Sequence, residues 1–146
     1  MEENLKKKDR LFGPVCTEAE AGSVSPLVLA FEGDAVYELA VRTMLVQRGH
    51  ARPNALNRLK SELVKAGAQS AMMETIEPLL TEKEAAVYRR GRNAKAPSPA
   101  RHASIQDYRR ATGFEALAGY LYLCGEEERL FELIEKGISS LEERSR

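Results

Sequence analysis

At 146 residues the chain is long enough to bury one substantial core and short for two domains. Hydrophobic residues at 43% and charged residues at 30% are ordinary for a folded globular protein, which excludes a low-complexity or disordered chain. The 22 basic and 22 acidic residues cancel, so overall charge does not point to nucleic acid, and any such case must rest on where the charges lie. Cys16 and Cys124 are far apart and show no metal-binding spacing, so they read as free thiols in a reducing compartment. No apolar run approaches about 18 residues, and no membrane span is expected. Residues 1–24 mix acids and bases, lack the apolar core of a signal peptide and show no sustained periodicity. They read as a flexible arm ahead of a single domain over 25–146, in a cytoplasmic protein. Lys6, Lys7 and Lys8 fit a solvated tail or a weak RNA contact.

The first strong element runs from Ser25 to Gly49. Ser25 suits an N-cap and Pro26 the first helical position. Gly49 suits the residue after the end, and Arg48 the negative end of the helix dipole. Asp34 is the anomaly. At about 100° per residue, Leu27, Ala30, Phe31, Glu38, Val41 and Leu45 lie within roughly 60° of it, so an acid sits in an apolar stripe. A second helix starts at Pro53 or Asn54 and carries Leu56, Leu59, Leu63 and Val64, with Gly67 weakening or interrupting it. A short apolar segment through Met72, Met73 and Ile76 follows, and Pro78 ends or kinks it. Thr81, with Glu84 three residues on, forms a capping box for a helix reaching about Gly91. The stretch GRNAKAPSPARHAS reads as a loop. A long helix begins at Ser104 or Ile105 and ends at Cys124, broken by Gly125. The last helix spans 126–141, with Leu130, Leu133, Ile134, Ile138 and Leu141 in register for burial. No stretch alternates with period two. The expectation is an all-α domain of about six helices.

The helix from Ser104 to Cys124 is apolar over most of its circumference and is expected to be central. One of its faces holds Tyr108, Ala111, Thr112, Glu115, Ala118, Gly119 and Tyr122. Small residues there let another backbone come close, and a natural packing sets this face against the stripe of Asp34. Two facing carboxylates repel unless something positive lies between them. One solution is structural: arginines, Tyr37, Tyr108 or a helix end satisfy the acids. The other is a hard divalent cation, Mg²⁺ or Mn²⁺, held by the acids and by water. Such an ion serves phosphodiester hydrolysis. Glu38 has the same ambiguity on a smaller scale, and a salt bridge to Arg42 is the simpler reading.

Basic residues are segregated in the middle of the chain. Arg89, Arg90, Arg92, Lys95, Arg101, Arg109 and Arg110 lie in a window whose acid is Asp107, with His102 beside them. This fits either a solubilising loop or a surface for a phosphate backbone. Arg90, Arg92, Asn93 and Lys95 are the candidates for RNA contact.

LAFEGDAVYELAVR resembles the signature helix of the ribonuclease III family, whose usual form reads LEFLGDxxL. ATGFEALAGYLYL resembles the family's second acidic helix. Together with RGRNAK and no double-stranded-RNA-binding domain, the chain is similar to the short, Mini-ribonuclease III branch over roughly 25–135. The resemblance implies an all-α endonuclease domain acting as a homodimer, with one Mg²⁺-dependent site per protomer. Each site would cut one strand of an RNA duplex to leave 5′ phosphates and short 3′ overhangs. It implies precursor 23S ribosomal RNA as substrate, with a ribosomal protein as a candidate partner. Asp34 and Glu115 match the family's catalytic and metal-holding acids, and Arg90 to Lys95 its RNA-contacting loop. The family's glutamate four residues before the aspartate is Ala30 here, and the aspartate three before the second glutamate is Thr112. That thinner carboxylate set keeps open an alternative: a catalytically silent RNA-binding or ribosome-associated protein on the same fold.

Overall fold

The computed structural model describes residues 12–94 and 104–145. Among these it contains seven α-helices, one 3-10 turn and no strands. In chain order they are α1 (Glu18–Gly22), α2 (Pro26–Gln47), α3 (Pro53–Val64), α4 (Ala66–Ile76), the 3-10 turn (Glu77–Leu79), α5 (Glu82–Asn93), α6 (Ile105–Leu123) and α7 (Glu127–Arg144).

The local signals act largely where the sequence places them. Ser25 caps α2, its hydroxyl accepting from the Val28 N–H, and Pro26 occupies the first turn. Gly49 takes φ +90° just beyond the end. Arg48 does more than face the dipole, since its guanidinium holds Glu142 of α7 at 2.6 Å. Thr81 and Glu84 close their capping box, and Ser104 caps α6 through the Asp107 N–H. Gly125, at φ +74°, turns the chain between α6 and α7.

Three boundaries differ from the sequence expectation. The break after α3 falls at Lys65, which is extended (ψ 155°), and Gly67 lies inside α4. Helix α5 continues to Asn93, so Gly91, Arg92 and Asn93 are helical where the sequence predicts a loop. Gly91 is buried against α6, and this packing outweighs its weak helix propensity. Within the stretch expected to be a flexible arm, Thr17 caps the short α1 and Ala21 is buried. The Cys16 N–H reaches the Leu123 carbonyl at 2.8 Å.

Helix α6 is the hub. From Ala111 to Leu121 every residue is buried except Glu115, which is half-buried. Helices α2, α4, α5 and α7 pack around it. Tyr37 of α2 meets Phe114 of α6 edge-to-face, with ring centroids 5.0 Å apart. The Tyr37 hydroxyl donates to the Leu63 carbonyl at 2.7 Å, tying the end of α3 to the core. Arg129 of α7 forks onto Glu84 of α5, with both nitrogens at 2.9 Å, and also reaches the Leu79 carbonyl.

The crossing of α2 and α6 is closer than ordinary helix packing. A Cβ on Gly33 would lie 1.7 Å from the Glu115 carbonyl oxygen, and one on Gly119 would lie 2.1 Å from the Leu29 carbonyl oxygen. The two glycines let backbone touch backbone, and that contact sets the geometry of the acids beside it.

Candidate functional site

Asp34 follows Gly33 on α2, and Glu115 supplies the carbonyl against which Gly33 packs. The crossing therefore delivers both acids to one place, and their carboxylates stand against each other. They are not equivalent. Asp34 is exposed, whereas Glu115 is half-buried. Asp34 also sits at the edge of the buried face of α2 rather than in its middle. Leu29, Ala30, Gly33, Tyr37, Val41 and Leu45 form that face, while Leu27 and Phe31 point to solvent. The costly acid is Glu115. Burial pushes its carboxyl up to about 8, and the neighbouring Asp34 carboxylate adds to the rise.

Among the described residues, neither an arginine nor Tyr37 supplies the structural solution to this repulsion. Among the described residues neither acid forms an ion pair with lysine or arginine. Tyr37 donates to Leu63 and to the Met72 sulfur rather than to a carboxylate, and burial pushes its hydroxyl pKa up. Glu38 is taken by Arg42 at 2.9 Å, with Lys60 at 4.0 Å, which is the salt bridge expected for it.

The partner that Glu115 does have is one the sequence reading missed. Gln69 of α4 is buried, and its side-chain N–H₂ donates to Glu115 Oε2 at 3.3 Å and to the Val64 carbonyl at 2.8 Å. Its own Oε1 is buried and finds no partner among the described residues. A glutamine inside the otherwise small and apolar run AGAQSAMM was the available signal, because a polar side chain at a core position needs a reason.

The two positions where further acids could have stood are closed. Ala30 is buried, and buried Thr112 spends its hydroxyl on the Tyr108 carbonyl at 3.0 Å. Among the described residues no group of three or more His, Cys, Asp or Glu forms a ready metal site. The donors that do converge are all oxygen, those of the two carboxylates. A hard cation such as Mg²⁺ fits that set, with most of its ligands left to water.

The basic candidates gather at the end of α5. Arg90 donates to the Gly22 carbonyl at 3.2 Å and lines a hollow with Pro26, Arg89 and Asn93. Arg92 lies over the Tyr88 ring, 5.6 Å from its centre, and bonds Asn93 Oδ1. Pro26 starts the helix that carries Asp34, so Arg90 and Asn93 flank a point about 12 Å along α2 from the acid at 1.5 Å per residue. Lys95, Arg101 and His102 lie outside the described residues.

The ribonuclease III domain matches residues 27–126. The chain belongs to the ribonuclease III family. It is 48% identical to the Mini-ribonuclease 3 of Brevibacillus brevis over 83% of this chain and 90% of that one. It is 45% identical to the Mini-ribonuclease 3 of Clostridium tetani over 91% of this chain and 89% of that one. The crystal structure of a Fusobacterium nucleatum protein superposes with a TM-score of 0.74 at 30% identity, covering 86% of this chain and 98% of the other. As a ribonuclease III family member the protein is an endoribonuclease of double-stranded RNA. The matched span holds α2 through α6, so it contains both acids and the crossing that joins them.

Proposed function

We propose that the acid pair at the α2–α6 crossing is the cleavage site, and that Asp34 and Glu115 hold a Mg²⁺ ion, replaceable by Mn²⁺, over an RNA strand. The observation that carries this is the pair itself: two carboxylates pressed together, one half-buried, with no basic side chain of the described residues between them. A bound divalent ion supplies the missing positive charge, activates water and stabilises charge on the phosphate. Asp34, exposed at the rim, faces incoming RNA, while Glu115 is held from behind by Gln69. Hydrolysis in this family frame leaves 5′ phosphates and short 3′ overhangs. Arg90, Arg92, Asn93 and Lys95 contact the RNA backbone beside the site, and residues 25–146 form the catalytic domain.

The substrate we infer is precursor 23S ribosomal RNA in the cytoplasm, trimmed at its paired ends, with a ribosomal protein as a helper for selectivity. The working unit is a homodimer. What supports it is the apolar edge of α2: Leu27, Val28, Phe31 and Leu39 are exposed, Phe31 by 81%. Leu39 continues into an apolar groove of about 850 Å³ between α2 and α7, lined also by Val36, Leu130 and Phe131.

The test is cleavage of an RNA duplex in Mg²⁺, with and without EDTA, by the wild type and by Asp34→Asn and Glu115→Gln. The expected result is metal-dependent cutting that either substitution lowers by several orders of magnitude. Buried Ala30 and Thr112, where further acids could stand, favour the alternative of a silent RNA-binding protein. A wild type that binds duplex but leaves it intact at enzyme excess would establish that alternative, and normal cutting by the variants would move the site elsewhere.

A further inference from the structure

Among the described residues Gln69 is a fully buried polar side chain hydrogen-bonded to the acid pair, and the family resemblance gives it no role. Its amide orientation is fixed by its neighbours. The Val64 carbonyl and Glu115 Oε2 are both acceptors, so the –NH₂ group must face them, and each takes one of its protons. That leaves Oε1 buried and without a partner among the described residues. A buried carbonyl oxygen without a donor costs about 1–3 kcal/mol. A water molecule is the natural donor for such an atom.

The backbone makes the placement rigid. Val64 ends α3, Lys65 is extended, and Gln69 sits in the first turns of α4. The Gln69 bond to Val64 therefore clamps the α3–α4 junction, while the same nitrogen holds the carboxylate on α6. Glu115 is fixed through its main chain by Gly33 and through its side chain by Gln69.

We propose that Gln69 is a positioning residue for the metal site: its amide N–H turns the Glu115 carboxylate toward Asp34, and its Oε1 accepts a hydrogen bond from a water bound at the acid pair. This rests on the reading of Asp34 and Glu115 as a divalent-cation site. It makes a buried amide supply, through water, part of what absent acids at Ala30 and Thr112 do not. Outer partners of this kind characteristically tune metal affinity by about 10–100-fold.

The experiment is Mn²⁺ titration of the RNA-free protein, followed by electron paramagnetic resonance, for wild type, Gln69→Met, Glu115→Gln and the double variant. Methionine keeps the volume and helical fit of glutamine and removes both polar ends. The expected result is Mn²⁺ affinity weakened about 10–100-fold in Gln69→Met, with a melting temperature within a few degrees of wild type. Turnover falls and KM for duplex stays unchanged, and the double variant is no worse than Glu115→Gln alone. Wild-type Mn²⁺ affinity in Gln69→Met, or a fall in melting temperature with no change in affinity, overturns the proposal. If Gln69→Met does not fold, the side-chain amide signals of ¹⁵N-glutamine-labelled wild type decide. A Gln69 signal that shifts on Mg²⁺ addition, and fails to shift in Glu115→Gln, supports the role; one that ignores Mg²⁺ overturns it. No Mn²⁺ uptake by wild type removes the metal reading itself, and Gln69's role with it, whereas uptake that depends on Glu115 but not on Gln69 removes only the latter.

Discussion

Gly33→Ala should break the enzyme at the point where fold and site meet. The added methyl carbon would lie 1.7 Å from the Glu115 carbonyl oxygen, 2.6 Å from its carbon and 2.8 Å from the Gly119 nitrogen. Carbon and oxygen need roughly 3.3 Å, so α2 and α6 must part by about 1.5 Å. All three obstacles are backbone, so no rotamer change relieves them. Overpacking where side chains can adjust costs about 1–3 kcal/mol, and this case should reach or pass the upper end. Alanine's better helix propensity returns about 1 kcal/mol, leaving a net loss of about 2 kcal/mol or more. For a chain of this size that corresponds to a fall in melting temperature of at least roughly 4–8 °C. The parting also separates Asp34 from Glu115, so cleavage should fall further than stability does. Urea titration and duplex cleavage at a temperature where the variant is still folded measure the two effects separately. Gly22→Ala is the control, because nothing lies within 4 Å of the new carbon. Gly119→Ala, with its carbon 2.1 Å from the Leu29 carbonyl oxygen, should repeat the effect from the other helix. A Gly33→Ala protein with wild-type stability and full activity would refute the crossing and the site built on it.

The same site predicts a pH response in the metal-free protein. Folding raises the Glu115 carboxyl from 4.5 to about 8, so the folded state keeps a proton that the unfolded chain has lost. Stability should be fully present below about pH 4.5, fall by about 1.4 kcal/mol per pH unit through that window and level off above 8. Asp34→Asn should bring the upper end of that window down while burial keeps part of it, and a window that ignores Asp34 would show that the carboxylates do not interact. Phe31→Glu should shift a homodimer to monomer in sedimentation while leaving helicity intact; an unchanged oligomer would place the interface off α2. Reversing Arg90 and Lys95 to glutamate should weaken duplex binding and lower the slope of its salt dependence by about one for each phosphate left without its cation, and unchanged binding would move the RNA surface.

The parts of this molecule that were legible in the sequence are those governed by short-range rules. Ser25, Thr81 and Ser104 cap helices because hydroxyls next to free N–H groups act locally, and Gly49 and Gly125 end helices because only glycine takes positive φ without strain. The small-residue face of α6 foretold a close partner. What periodicity could not reveal was depth. Asp34 lay among apolar residues on the helical wheel, yet Leu27 and Phe31 beside it face solvent, so the acid is exposed. An apolar residue left outside looks the same in sequence as one inside. Helix α5 ran past its expected end because Gly91 meets Gly113 and Ala116, a tertiary contact that no local signal encodes. The break at Lys65 rather than Gly67, and the clamp by Gln69, depend on where α3 and α4 meet the core. Gln69 and Glu115 are 46 residues apart, and nothing in either neighbourhood names the other.

If the acid pair is the metal site proposed above, the unequal burial of the two acids bears on how so thin a set of ligands would work. Two exposed carboxylates would repel weakly in water and would hold a cation weakly as well. Two buried ones would neutralise themselves by taking up protons. Here one acid stays in water and the other is drawn into the core; without a cation Glu115 keeps a proton up to about pH 8, and a divalent ion joining the pair must displace that proton. Once both acids are ionised they cannot move apart, because Gly33 and Gly119 lock the backbones and Gln69 holds the Glu115 side chain. Nor does a described lysine or arginine form an ion pair with either acid: Arg42 is held by Glu38, Arg90 by the Gly22 carbonyl, and Arg92 lies over Tyr88. In the proposed site, the affinity for a divalent ion that extra acids would provide by charge would come instead from rigidity. Substitutions that loosen the crossing should therefore weaken metal binding even where they leave both carboxylates in place.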